Sequence, residues 1–335
     1  MARLDPRWFL GLGVAGAVAG LAGAVALGAA GWRAWLAGAI LTISVPIGAA
    51  GLALMARLIP GPWRDELEPA LRDLARLLPV GAFLMAPVLL AAPTLYPWAD
   101  EPQGTAFRTA WFATPFFAGR ALVWLAGFAG IAVAAVFARG RTAAAIGLLV
   151  FVPLTSVAAV DWVMSLDPDF NSSGFGLYVT AMQTLTALAL ATALTARGGN
   201  PERLGILGGV LLTAILLWAY LAFMPYVIVW WNNLPAGVAW YQRRGGPGWK
   251  TAIFAASFLR LAPAALLLSP RTRNDPRRLF ACAAAVIFGT AVEVAWLVLP
   301  AQGPPAGGAA IALFALVTAS GTLASFGAYQ AGRHP

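Results

Sequence analysis

An all-α polytopic membrane protein with ten transmembrane helices is predicted by three observations. Hydrophobic residues fill 60% of the 335 positions, while Asp, Glu, Lys and Arg together fill 10%. The apolar residues also fall into runs of the roughly 20 residues that a helix needs to cross a bilayer. These runs are 8–30, 34–56, 77–98, 115–138, 142–166, 174–196, 204–231, 250–269, 279–300 and 307–330. They take up most of the chain and leave no room for a soluble domain, so one integral membrane domain over 1–335 is expected.

The first run follows MARLDPR and is longer than the apolar core of a signal peptide, so a retained helix is expected. After the second run, RDELEPALRDLARLL (64–78) places Leu67, Leu71, Leu74 and Leu78 at spacings of four, three and four. That stripe, with charges opposite, predicts a short helix lying on the cytoplasmic membrane surface. The segment TAFRTAWFATPFFA (105–118) carries Trp111, Phe112, Phe116 and Phe117, read as interfacial anchors ahead of the fourth span. The seventh span ends in WAYLAFMPYVIVWWNNLP (218–235). There Pro225 should kink the helix and free carbonyls, and Tyr220, Tyr226, Asn232 and Asn233 supply hydrogen-bonding groups. Trp230 and Trp231 suit an aromatic belt, whereas Tyr220 lies deeper than a belt requires.

Orientation follows from basic residues in the short loops. With the N-terminus inside, the inner side carries fifteen: Arg3, Arg7, Arg57, Arg64, Arg72, Arg76, Arg139, Arg141, Arg197, Arg203, Arg271, Arg273, Arg277, Arg278 and Arg333. The outer side carries six, Arg33, Arg108, Arg120, Arg243, Arg244 and Lys250, and Arg260 lies inside a span. Both termini are therefore expected in the cytoplasm. The net charge of +9 is spread over helix ends and does not interleave with exposed aromatics, which argues against nucleic acid and for topology signals and anionic lipid. Cys282 is the single cysteine and His334 the single histidine. No disulfide framework, haem ligation within the bundle or iron–sulfur cluster is expected, so any redox chemistry must use a partner's cofactors.

Several unusual residues recur at an offset of 132: Pro93 with Pro225, Trp98 with Trp230, Pro115 with Pro247, Asp161 with Glu293, and Pro168 with Pro300. Spans three to six then correspond to spans seven to ten, a parallel repeat. The expected architecture is two N-terminal helices (8–56) and two four-helix bundles (77–196 and 204–330).

Asp161 and Glu293 are the candidate proton-transfer residues, because an ionised carboxylate at membrane depth costs several kcal/mol and usually marks a bundle interior or a proton or ligand path. By helix rise they lie roughly 7 and 10 Å below the outer surface. Arg260 lies near the midplane. The alternative for Glu293 is a structural ion pair with Arg260. For Asp161 it is a cap or hydrogen bond to Ser156, Tyr178 or a neighbouring helix. Tyr220, Tyr226 and Arg260 are candidates for a polar path.

Four segments carry a family resemblance: DWVMSLDP (161–168), WAYLAFMPYVIVWWNNLP (218–235), TPFFAGRALVW (114–124), and the acidic residue before WLVLP (296–300). Together they resemble the F subunit of bacterial alternative complex III, a quinol:cytochrome c oxidoreductase, within the polysulfide-reductase NrfD-like membrane subunits. The resemblance covers spans three to nine. It implies ten helices with two four-helix bundles and a role in oxidising menaquinol or ubiquinol on the outer side. The resemblance makes a quinone or quinol the candidate ligand, with Tyr220, Tyr226 and Arg260 as its candidate site, and implies that electrons pass through iron–sulfur clusters and haem c in partner subunits to cytochrome c or a terminal oxidase. Implied partners are a sister NrfD-like subunit, an iron–sulfur protein and haem c subunits. Asp161 matches that family's aspartate before the tryptophan, and Glu293 stands where the family commonly has an aspartate. A secondary transporter would instead have inverted repeats around broken helices. A scaffold subunit without a quinone or proton role needs only helices and an outer loop such as AGVAWYQRRGGPGWK (236–250).

Overall fold

The computed structural model describes residues 5–99, 104–138, 140–196, 201–301 and 306–333. Arg3, Arg139, Arg197 and His334, which entered the orientation and haem arguments, lie outside the described residues. Within them the chain forms helices and no strand: α1 (Pro6–Ala26), α2 (Gly28–Leu58), α3 (Pro62–Ala75), α4 (Leu78–Leu95), α5 (Ala106–Trp111), α6 (Thr114–Phe137), α7 (Arg141–Trp162), α8 (Phe175–Ala196), α9 (Pro201–Asn232), α10 (Pro235–Arg243), α11 (Pro247–Leu267), α12 (Pro270–Arg273), α13 (Pro276–Val298) and α14 (Gly308–Arg333). Ten of these are long and apolar enough to cross a membrane: α1, α2, α4, α6, α7, α8, α9, α11, α13 and α14. They coincide with the ten apolar runs to within a few residues.

Local chemistry sets many helix starts. Proline occupies the first turn of α1, α3, α4, α6, α10, α11, α12 and α13. There its missing N–H costs nothing and its φ suits the helix. Asp275 caps α13 by accepting from the backbone N–H groups of Arg277 and Arg278. Between α1 and α2, Gly28 adopts φ +57°, a left-handed turn that lets the second helix begin two residues after the first ends. Pro225 lies inside α9 and does not end it.

α2 and α8 are the most buried spans, 83% and 78% against 56% or less for the others, and they pack directly on each other as the spine of the molecule. One group of four forms around α2 with α4, α6 and α7, and a second around α8 with α9, α11 and α13. α14 pairs with α1 and packs on α2. These two groups span residues 28–162 and 175–298. The 132-residue offset expected from the sequence pairs α4 with α9, α6 with α11, α7 with α13 and α8 with α14. α14 meets α1 closely through small residues. Gly13 of α1 lies against the backbone of Ala324, and Gly327 of α14 against the backbone of Leu10.

α3 departs from expectation. Leu67, Leu71 and Leu74 are fully buried against α2, α6, α8 and α9, so α3 closes one end of the bundles with its apolar stripe instead of lying on lipid. Its Glu68 carboxylate gathers three arginines, Arg57 at 3.5 Å, Arg64 at 3.1 Å and Arg72 at 2.5 Å. Arg57 also donates to the Ala134 carbonyl at 2.8 Å, stitching the end of α6 to α2 and α3. Burial pushes the Glu68 carboxyl up, but the hydrogen bond from Arg64 and the fields of Arg72 and Arg64 outweigh it and hold the group below its ordinary value. A depressed carboxylate stabilises the fold above its unfolded pKa of about 4.3 and loses that contribution as pH falls through the folded value. Thermal melts in detergent should therefore show a fall in Tm below about pH 4.5 that is shallower in Glu68→Gln.

Candidate functional site

The second bundle places one polar side chain from each of its four helices at a common centre. Glu293 of α13, 1% exposed, accepts at Oε1 a hydrogen bond from the Tyr178 hydroxyl of α8 at 2.6 Å. The same oxygen accepts from the indole Nε1 of Trp218 of α9 at 3.2 Å. Its Oε2 faces Nη1 of Arg260 of α11 at 2.6 Å, and the guanidinium lies over the Trp218 ring, 4.1 Å from the centroid. Arg260 is wholly buried. Its ion contact with Glu293 is close but not aligned as a hydrogen bond, and Nε, Nη1 and Nη2 find no acceptor among the described residues. A buried guanidinium with spare donors suits water or a carbonyl ligand. Thr186 of α8 and Thr290 of α13, one helical turn from Glu293, continue the polar line with hydroxyls 3.1 Å apart.

The first bundle holds a different acidic centre. Asp161 near the end of α7, also 1% exposed, is gripped by Arg120 of α6 through Nε at 2.9 Å and Nη2 at 3.1 Å. Trp124 Nε1 adds a third bond at 2.8 Å. The remaining nitrogen of Arg120, Nη1, donates to the Trp111 carbonyl at 2.6 Å, and the guanidinium sits 4.0 Å from the Trp111 ring and 4.7 Å from the Phe116 ring. Every nitrogen of Arg120 has an acceptor and both oxygens of Asp161 have donors, so this centre is closed. It is a bidentate pair of the strong kind. Two of the expected interfacial anchors, Trp111 and Phe116, thus flank Arg120, and Phe117 is buried against Tyr96 and Trp98.

A third buried acid, Asp167, follows α7 and faces Arg243 at 3.0 Å and Arg244 at 2.9 Å at the end of α10. Arg244 also donates to the Leu297 carbonyl of α13 at 2.7 Å and lies 3.8 Å from the Trp240 centroid. Burial pulls its pKa down to about 10, opposed by Asp167. Nearby, Arg33 of α2 donates to the Ala301 carbonyl at 2.6 Å. These contacts tie the connections of the two groups together at the face opposite the chain ends.

Of the residues singled out from the sequence, Glu293 and Arg260 come together, and Asp161 lies in the other bundle. Tyr220 and Tyr226 join neither centre. Tyr220 is 61% exposed, because two residues beyond Trp218 is about 200° around the helix and points the ring outward. Tyr226, 45% exposed, packs edge-on against Tyr241, 5.4 Å between centroids, about 12 Å further along α9 than Trp218. Tyr178, Trp218, Arg120, Trp124, Asp167 and Arg244 complete the centres and were not singled out as site residues. No group of His, Cys, Asp and Glu able to hold a metal ion occurs among the described residues. No family model matches the chain, and no curated protein matches its sequence.

Proposed function

We propose that this chain is a membrane subunit of a quinol:cytochrome c oxidoreductase of the alternative complex III type, and that its Glu293 centre serves proton or quinol chemistry. The carrying observation is the convergence of Tyr178, Trp218, Arg260 and Glu293 from all four helices of one bundle. Bundle cores build ligand sites from facing helices in this way. The spare donors of Arg260 suit a quinone carbonyl, and the Tyr178–Glu293 hydrogen bond supplies a protonatable pair beside it. Asp161, saturated by Arg120 and Trp124, acts as a clamp between α6 and α7. The two bundles are taken as parallel repeats. The sequence resemblance supplies the rest of the reading: a bacterial inner membrane, cytoplasmic termini, haem c and iron–sulfur partners, and cytochrome c or an oxidase as acceptor.

Membranes from cells lacking the chain should lose quinol:cytochrome c reductase activity and regain it with the wild-type copy. Unchanged activity in the deletion strain would refute the assignment. A second reading, a scaffold with no proton role, is favoured by one observation: both intramembrane acids are ion-paired to arginine. The isosteric changes Asp161→Asn and Glu293→Gln separate the two. The proposal expects Glu293→Gln to lower turnover of the assembled complex at least tenfold while Asp161→Asn acts mainly on assembly; the scaffold reading expects full turnover in both once assembled.

A further inference from the structure

A groove of about 400 Å³ opens on the surface of the molecule between α11 and α13. Its walls are apolar, with Phe258, Ala262, Pro263 and Leu266 on one side and Ala281 and Ala285 on the other. Phe258 and Leu266 are exposed. At one end the groove meets Arg278. Arg271, Arg277 and Arg278 are exposed here, and Asp275 is the only acid between positions 268 and 288. Arg278 lies 3.8 Å from Asp275, which leaves the cluster with a clear positive excess. From Arg278 to Ala285 is seven residues of helix, about 10 Å, so an apolar channel runs into the hydrocarbon directly below a basic rim.

We propose that this groove binds an anionic phospholipid, with an acyl chain between α11 and α13 and the phosphate against Arg277 and Arg278. Charge complementarity selects the occupant. A basic rim at the edge of a span attracts anionic headgroups, while the small side chains Ala262, Ala281 and Ala285 leave a chain-width depression. A neutral prenyl chain would use the channel and leave the positive excess of the rim uncompensated. Free phosphate would use the arginines and leave the channel empty.

Native mass spectrometry of the purified full chain, titrated with phosphatidylglycerol, phosphatidylcholine of the same chains, menaquinone-4 or inorganic phosphate, tests this. Phosphatidylglycerol should bind at least tenfold more tightly than phosphatidylcholine, and inorganic phosphate should give no adduct. Arg277→Gln/Arg278→Gln should weaken phosphatidylglycerol by roughly ten- to thirtyfold, and Ala281→Leu should weaken both lipids by filling the groove. Because Arg277 and Arg278 are exposed, their double variant remains informative even if Ala281→Leu folds poorly. Equal binding of the two lipids, binding unchanged in the double variant, or displacement of bound phosphatidylglycerol by menaquinone-4 would overturn the proposal.

Discussion

Arg260→Leu is expected to cost about 3–5 kcal/mol of stability, because it leaves the Glu293 carboxylate buried without its counter-charge. Arg260 is fully enclosed and its guanidinium covers the face of Trp218. The loss therefore includes packing and a cation–π contact as well as the ion pair. Glu293→Leu should cost a similar amount by stranding the arginine. The double change Arg260→Leu/Glu293→Leu removes both charges, and buried pairs replaced by apolar groups are often close to neutral. It should recover most of the stability while abolishing the proposed chemistry. Cys282, the only cysteine, is buried, so a thiol-reactive dye reports unfolding in detergent directly. Arg260→Lys keeps the charge but loses the flat surface that lies on Trp218, and an intermediate loss is expected. If the double variant were no more stable than the worse single one, the pair would not be the dominant contact at this centre.

Gly48→Ala is the second change with a large expected effect. A Cβ at Gly48 of α2 would fall well inside contact with the Gln183 carbonyl of α8 and within 2.9 Å of the Thr184 nitrogen. These are backbone atoms on the other half of the spine, and they can yield only if α2 and α8 move apart. Overpacking of this kind costs about 3 kcal/mol, and small residues are what allow membrane helices to approach so closely. The control is Gly119→Ala on α6, where nothing lies within 4 Å of the new methyl. That substitution should be neutral or stabilise by up to about 1 kcal/mol, since alanine is the better helix former. The same thiol-dye melt compares them, and a Gly48→Ala midpoint equal to that of Gly119→Ala would show that the two halves do not meet through this glycine.

Much of the fold was legible because the number and bounds of membrane helices depend on apolar run length alone. Glu293 and Arg260 were legible for a related reason: opposite charges inside consecutive spans must find each other or remain costly. Arg120 was missed by being counted with the loop charges, although it lies six residues inside α6. A long apolar run with one arginine just inside its start was the available signal. Tyr220 stands out by its depth and Tyr226 by its place beside Pro225, but neither fixes the helix face. α9 is apolar all round, so no polar stripe marks its inward side. The inward residue proved to be Trp218, which in sequence looks like any other aromatic of that segment.

Helix partnership was the least legible level. The 132-residue offset pairs α4 with α9, α6 with α11, α7 with α13 and α8 with α14, but an offset between chain positions does not fix which helices touch. That is decided by close approach, through Gly48 at the α2–α8 contact and Gly13 and Gly327 at the α1–α14 contact. α3 shows the same limit from the other side. Its leucine stripe predicts an amphipathic helix but not what the stripe meets, and here protein took the place of lipid.

The most direct test of the central claim is affinity purification of the tagged chain from native membranes in mild detergent, read by mass spectrometry and by a quinol-reduced minus oxidised visible spectrum. The account predicts co-purifying multihaem cytochrome and iron–sulfur subunits with a haem signal that quinol reduces. A chain that emerges alone, without haem absorbance, would contradict it.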